Sequence, residues 1–192
     1  MKIIVASNNK HKIREISAVI SKSVRLVTMA EAGITEDIPE NESSLEGNAL
    51  EKARYVYRLT GENVFADDTG LETEALDGAP GVHSARYAGE SKDSDANINK
   101  LLDELKGHKN RRARFRTVIA LILDKQEYLF EGIINGRIIN EKRGRQGFGY
   151  DPVFIPDNEN MTFAEMSSDR KNQISHRAIA IRKLGEGLQG SS

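Results

Sequence analysis

The chain has 192 residues, of which 38% are hydrophobic and 30% charged, enough to close the core of an ordinary globular protein. A net charge of −1 and a mean hydropathy of −0.52 exclude a global field that would draw it to nucleic acid or a membrane surface. No run approaches the roughly 20 apolar residues of a membrane span, the N-terminal apolar run is too short for a signal peptide, and the absence of cysteine removes disulfides, thiol nucleophiles and Cys-bound zinc.

Lys2 to Ala6 is a short apolar run that predicts a buried strand. Ser7, Asn8 and Asn9 then supply capping residues for a helix carrying Ile13, Ile16 and Ile20. A second helical stripe, Leu45, Ala49, Ala53 and Val56, is capped by Ser43 or Ser44 and closed near Gly61. Val64-Phe65-Ala66 reads as the next strand, with a turn expected over Asp67-Asp68-Thr69-Gly70. Ile98, Leu101, Leu102 and Leu105 mark a third helix that stops at Gly107.

From there the period changes to two. Ala113, Phe115, Thr117, Ile119, Leu121 and Leu123 fall on one face of a long strand. Tyr128 to Ile139 is a second strand-like run, expected to break at Gly132 and at Asn135-Gly136, and a short strand lies between Pro152 and Pro156. Ser175 is expected to cap a last helix with Ala178, Ile181, Leu184 and Leu188, and the Gly/Ser-rich residues 185–192 to fray. Mixed strands and helices predict an α/β fold with a partly antiparallel sheet.

Five stretches have the residue types of a functional site. "SNNKHK" places Ser7, Asn9 and Lys12 where a strand feeds a helix N-terminus, whose N–H groups attract phosphate; a plain cap is the competing reading, and the Walker glycines are absent. In "VFADDTGLE" two neighbouring carboxylates alternate across a strand, so Asp67 and Asp68 need not share a site. One of them suits a hard cation such as Mg²⁺, against the alternative of two solvated turn residues. "GRQGFGYDPVF" crowds three glycines around Phe148 and Tyr150, as a stacking platform or merely a packed hairpin loop. Lys171, His176 and Arg177 can donate to an anion or an oxo group, or be solvated. The basic run from Lys106 to Arg116 reads as a solvated, edge-protecting face rather than a nucleic-acid strip.

The order of these blocks is more specific than any one of them. Ser7-x-Asn9-x-x-Lys12, "GNALEKA", "FADDTGLE", "GAPGVHSARYAGE", "GFGYDP" and "ISHR" run in sequence from about Ile3 to Leu184. The chain thereby resembles the inosine/xanthosine triphosphate pyrophosphatase family. The resemblance implies a single two-lobed α/β domain, a long twisted mixed sheet flanked by helices with a deep central cleft, assembled as a homodimer. It also implies a cytoplasmic, Mg²⁺-dependent enzyme that hydrolyses ITP, dITP and XTP to the monophosphate and pyrophosphate, with neither nucleic acid nor membrane as partner. Carried onto this sequence, Ser7, Asn8, Asn9, Lys10, His11 and Lys12 match the triphosphate cradle. Asp68 matches the essential carboxylate, as metal ligand and general base, with Glu40 as a second acidic position at the metal. Asp67 would shape the turn or support the metal from outside its first ligands. Thr69, Phe148, Gly149, Tyr150, Asp151, Lys171, His176 and Arg177 match substrate contacts. Three positions depart from the family pattern besides Thr69 for Ser: Glu42 stands for a glycine, Gly47 for a glutamate and Gln146 for a glycine.

A related pyrophosphatase of the Maf type, selective for pyrimidine or methylated nucleotides, would keep the carboxylate and Mg²⁺. A binding module using the Lys106–Arg116 strip would not need Asp68.

Overall fold

A computed structural model describes residues 1–20, 23–36 and 38–190. In chain order its strands are β1 (Lys2–Val5), β2 (Arg25–Thr28), β3 (Val64–Thr73), β4 (Arg112–Leu123), β5 (Gln126–Ile138) and β6 (Phe154–Pro156). Its helices are α1 (Lys10–Val19), α2 (Leu45–Thr60), α3 (Ser94–Glu104), α4 (Ser168–Ile174) and α5 (His176–Gly190). The six strands form one open sheet in the order β2-β1-β3-β4-β5-β6. β1 is parallel to both β2 and β3, and β5 is antiparallel to β6, so the sheet is mixed as expected.

The chain divides into two compact units. The first comprises Met1–Asp68, Thr117–Gly132 and Arg177–Ser192, and the second Thr69–Arg116 and Ile133–His176. The core of the first joins Ile3 and Val5 of β1, Ile16 of α1, Phe65, Ile119 and Leu121 of the sheet, and Ala180, Ile181 and Leu184 of α5. The core of the second joins Leu71, Ile98, Leu101, Phe115, Phe154, Phe163 and Met166 among others, with Phe115 and Phe154 edge to face at 4.7 Å.

Local signals explain the helices. The Asn9 side chain accepts the N–H groups of His11 and Lys12 at 3.0 and 3.2 Å, starting α1. Ser44, one of the two expected caps, accepts Gly47 N–H at 3.0 Å, and Gly61 ends α2 by donating to the Tyr57 carbonyl at 2.8 Å. In β4 the expected alternation holds for Ala113 and Phe115, buried between exposed arginines. From Thr117 to Ile122 every residue is buried, because this part of an interior strand is covered on both faces.

Several expectations need correction. β3 continues to Thr73, so "DDTG" is extended strand and not a turn; β4 neighbours β3 in the sheet, whereas β1 pairs with it only as far as Phe65. β5 likewise runs through Gly132 and Asn135-Gly136, because β6 pairs Gly136 with Pro156 and Ile138 with Phe154. The basic strip lies partly on β4, an interior strand, so it protects no sheet edge. Its arginines are paired: Arg112 with Asp157 at 2.8 and 2.9 Å, Arg114 with Glu72 at 2.5 Å. Helix α5 extends to Gly190, past the expected start of the tail, whose last residues, Ser191 and Ser192, lie outside the described residues. Two elements, β2 and α4, were not expected; each is too short to show a period. Ser175 ends α4, donating its N–H to the Lys171 carbonyl at 2.8 Å, immediately before α5 begins.

Candidate active site

The first unit gathers one constellation around the adjacent aspartates of β3. Strand alternation separates them, and they keep different company. Asp67, 1% exposed, lies 3.0 Å from Lys12 Nζ and 3.5 Å from Arg177 Nε. Arg177, itself 1% exposed, also donates to Glu15. Burial pushes the Asp67 carboxyl up, but Lys12, Arg177 and Lys52 outweigh it and hold the group well below the usual carboxylate range. Asp67 is therefore a permanent anion that anchors two cations; it shapes no turn.

Asp68 has the opposite balance. Its Oδ1 accepts Lys52 Nζ and its Oδ2 accepts the Asn48 amide, both at 3.2 Å. Burial raises its proton affinity, Lys52 and Lys12 oppose that, and the nearby Glu40 and Asp67 charges add to it, leaving the carboxyl above its ordinary value. Two neighbours on one strand thus differ in readiness to take a proton. That is the division expected of a structural anion beside a general base.

Lys52 joins Asp68 to Glu40, whose Oε1 lies 2.8 Å from the same ammonium. Burial lowers the Lys52 pKa, but the Asp68, Glu40 and Asp67 charges outweigh it and leave the group charged. The loop bearing Glu40 is strapped to α2: Glu42 N–H donates to Asn48 Oδ1 at 3.0 Å, and Asn41 N–H to Glu51 at 2.9 Å. Here two departures from the family pattern accommodate each other. A Cβ on Gly47 would come 2.7 Å from Glu42 Cβ, so a side chain at 42 requires its absence at 47.

The expected cradle lies at the start of α1. Ser7 is half-buried with its Oγ accepting the Asn9 N–H at 3.2 Å, whereas Asn8, Asn9, Lys10 and His11 are exposed. Asn9 already caps two N–H groups, so its Oδ1 is committed to the helix. Lys12 is turned inward to Asp67.

The second unit holds the other constellation. Asp151 Oδ2 accepts the Phe148 N–H at 2.8 Å and Lys171 Nζ at 2.6 Å, with both charged side chains buried. The Lys171 ammonium stands 5.0 Å over the Phe148 ring. Tyr150 is buried and donates its hydroxyl to the Ser84 carbonyl at 2.8 Å; burial, with Tyr87 and Glu104, raises its pKa. Gly149, between them, has a left-handed backbone with open space beside it. His176 is stacked on Phe115, centroids 4.7 Å apart and 12° between planes. Thr69 is part of the β3 strand, pointing to the same side as Asp67.

The sequence reading named neither Asn48, Lys52 nor Glu15 as functional. A signal for the first two was present: a polar pair at i, i+4 inside the buried stripe Leu45, Ala49, Ala53 and Val56. Among the described residues no group of three or more acidic or histidine side chains is arranged to hold a metal by itself. Mg²⁺, however, takes one or two carboxylates and completes its octahedron with water and substrate phosphate. Glu40 and Asp68, hard oxygen donors sharing one ammonium, fit that requirement.

The sequence profile of the Ham1 family matches residues 3–187. A dITP/XTP pyrophosphatase of Porphyromonas gingivalis is 55% identical over 97% of this chain and 97% of its own length. One of Flavobacterium johnsoniae is 50% identical over 96% of each. Among solved structures, the Staphylococcus aureus Ham1 protein superposes with a TM-score of 0.91 at 39% identity over the whole of both chains. A HAM1 protein of Coxiella burnetii gives 0.91 at 36%, over 99% of each.

Proposed function

The chain belongs to the Ham1 family, and from that premise we propose that it hydrolyses dITP, XTP and ITP to the nucleoside monophosphate and pyrophosphate. The observation that carries the reading is Asp68, a buried carboxylate of raised proton affinity held by Lys52 and Asn48.

Asp68 acts as the base that orients and deprotonates the attacking water. Attack at the α-phosphorus makes pyrophosphate leave as one unit. Lys12 and the positive end of the α1 dipole neutralise the polyphosphate, with Ser7, Asn8, Asn9, Lys10 and His11 lining its approach. Glu40 and Asp68 would hold Mg²⁺, and the chemistry it would supply when bound is charge neutralisation on the phosphate oxygens. Lys52 fixes the spacing of those two carboxylates and steadies the ionised form of Asp68.

Base selection rests on donors. Hypoxanthine and xanthine carry a 6-oxo acceptor where adenine has a 6-amino donor. Arg177, anchored by Glu15 and Asp67, or His176, held against Phe115, donates to that oxygen. Facing adenine, the buried donor would lose its partner, a cost of about 1–3 kcal/mol. Phe148 stacks on the purine, Gly149 lets the backbone approach it, Thr69 adds a hydroxyl contact, and Tyr150, Asp151 and Lys171 complete the pocket. We further read the two units as lobes of a single domain, and the enzyme as a cytoplasmic homodimer without nucleic acid or membrane as partner. No helix among the described residues is long and apolar enough to cross a membrane.

The test is pyrophosphate release from dITP, XTP, ITP, GTP, ATP and pyrimidine triphosphates, with and without Mg²⁺. Selective release from the 6-oxo purine nucleotides, dependent on Mg²⁺, is expected. No release from dITP or XTP, or equal rates with ATP, would overturn the reading.

A further inference from the structure

Gly147 immediately precedes the Phe148 loop and has no role in the reaction as described. Its backbone is left-handed, at φ +74°, and a Cβ built there would lie 2.0 Å from Asp151 Oδ2. That oxygen is the one accepting both the Phe148 N–H and the Lys171 ammonium. We propose that Gly147, Asp151 and Lys171 form a latch that sets the angle of the Phe148 ring, with Gly147 as its positioning residue. The Asp151 carboxylate folds back under the loop only because position 147 has no side chain. Once there, it pins the Phe148 backbone from one side and Lys171 from the other. Lys171 in turn stands over the Phe148 ring, and 5.4 Å from that of Phe163, so the ring is held by its own backbone and by a cation on its face. Asp151 and Lys171 thus serve base recognition through Phe148. The inference rests on the proposed function only in taking Phe148 as the base-stacking residue.

Gly149 supplies an internal control. It too is left-handed, at φ +59°, but a Cβ there meets nothing within 4 Å. Gly149→Ala therefore introduces backbone strain alone, whereas Gly147→Ala introduces strain and displaces Asp151.

Amide hydrogen exchange at Phe148, read by NMR on the full-length protein, tests the latch without nucleotide. Gly147→Ala should speed that exchange on the order of tenfold or more, the loss of a hydrogen bond to a charged acceptor, and Gly149→Ala should leave it within about threefold of the parent. Equal rates in both variants overturn the proposal. Should Gly147→Ala fail to fold, Lys171→Met reads the same bond: faster exchange at Phe148 supports the latch and unchanged exchange overturns it. With dITP, Gly147→Ala should raise KM about tenfold with kcat within about threefold, and should add less than about twofold in a Phe148→Leu background. Effects that multiply in the double variant overturn the action through Phe148. Absence of pyrophosphate from the parent would count against the proposed function alone, since the exchange measurement stands without turnover.

Discussion

Replacing Lys52 by Met keeps most of the side chain's length and removes a charge that touches both Glu40 and Asp68. An ammonium 3.2 Å from a carboxylate contributes about 5 kcal/mol of gross attraction at an effective dielectric of ~20. With roughly a quarter surviving relaxation and water entry, Asp68 gains about tenfold in proton affinity. The sign follows from the environment: burial and the Glu40 and Asp67 charges already raise Asp68, and Lys52 is the largest effect opposing them. The variant should therefore need a higher pH to ionise its base. In pyrophosphate release from dITP at saturating Mg²⁺, the acid limb of kcat/KM should move upward by about one pH unit relative to the parent. A loss of rate that is equal at all pH values, with the limb in place, would refute the claim that Lys52 sets the proton affinity of Asp68.

Asp68→Asn should abolish turnover yet leave the protein at least as resistant to urea at pH 7, since it removes a buried charge that the fold disfavours. For the same reason the wild-type contribution of Asp68 to stability should decline as pH rises from its ordinary value of 3.8 through the raised one. Asp67→Asn should do the reverse, costing about 3–5 kcal/mol in denaturant titrations because Lys12 and Arg177 lose a buried counter-charge. In the parent, the stability due to Asp67 is present above pH ~4 and is lost as acid titrates it toward its depressed pKa, so the Asn variant and the parent should converge in strong acid. Chelation with EDTA should stop pyrophosphate release, with recovery on excess Mg²⁺; activity that persists in chelator would remove Glu40 and Asp68 as metal ligands.

Much of this was legible in residue order. The helical stripe from Leu45 to Val56, its Ser44 cap and the Gly61 stop are local signals, and the structure places them as read. The two aspartates were legible as belonging to different faces, because alternation in a strand needs no knowledge of tertiary contacts. The turn expected there has a physical reason to fail: Asp-Thr-Gly is common at turns, and only its place in the sheet beside β4 decides that this copy stays extended. The same holds at Asn135-Gly136, where pairing with β6 overrides the local preference. Lys52 is only half legible: its place inside an apolar stripe marks it out, but its role follows only from its two carboxylate partners, 12 and 16 residues away. Glu15 pairs with Arg177 across 162 residues, a separation that no local pattern encodes.

The division of the chain has a consequence for folding. The core of the first unit joins Ile3 and Val5 to Ala180, Ile181 and Leu184, from opposite ends of a long stretch of sequence. The buried apolar cluster of the second unit lies wholly between Leu71 and Met166. The apolar cluster of the second unit therefore needs nothing from α5, whereas the first core closes only when α5 docks, and Asp67 gains Arg177 in the same step. A chain cut short before α5 would lose a face of the first core and the counter-charge of a buried aspartate together, so truncated products should expose apolar surface and be recognised by chaperones and proteases.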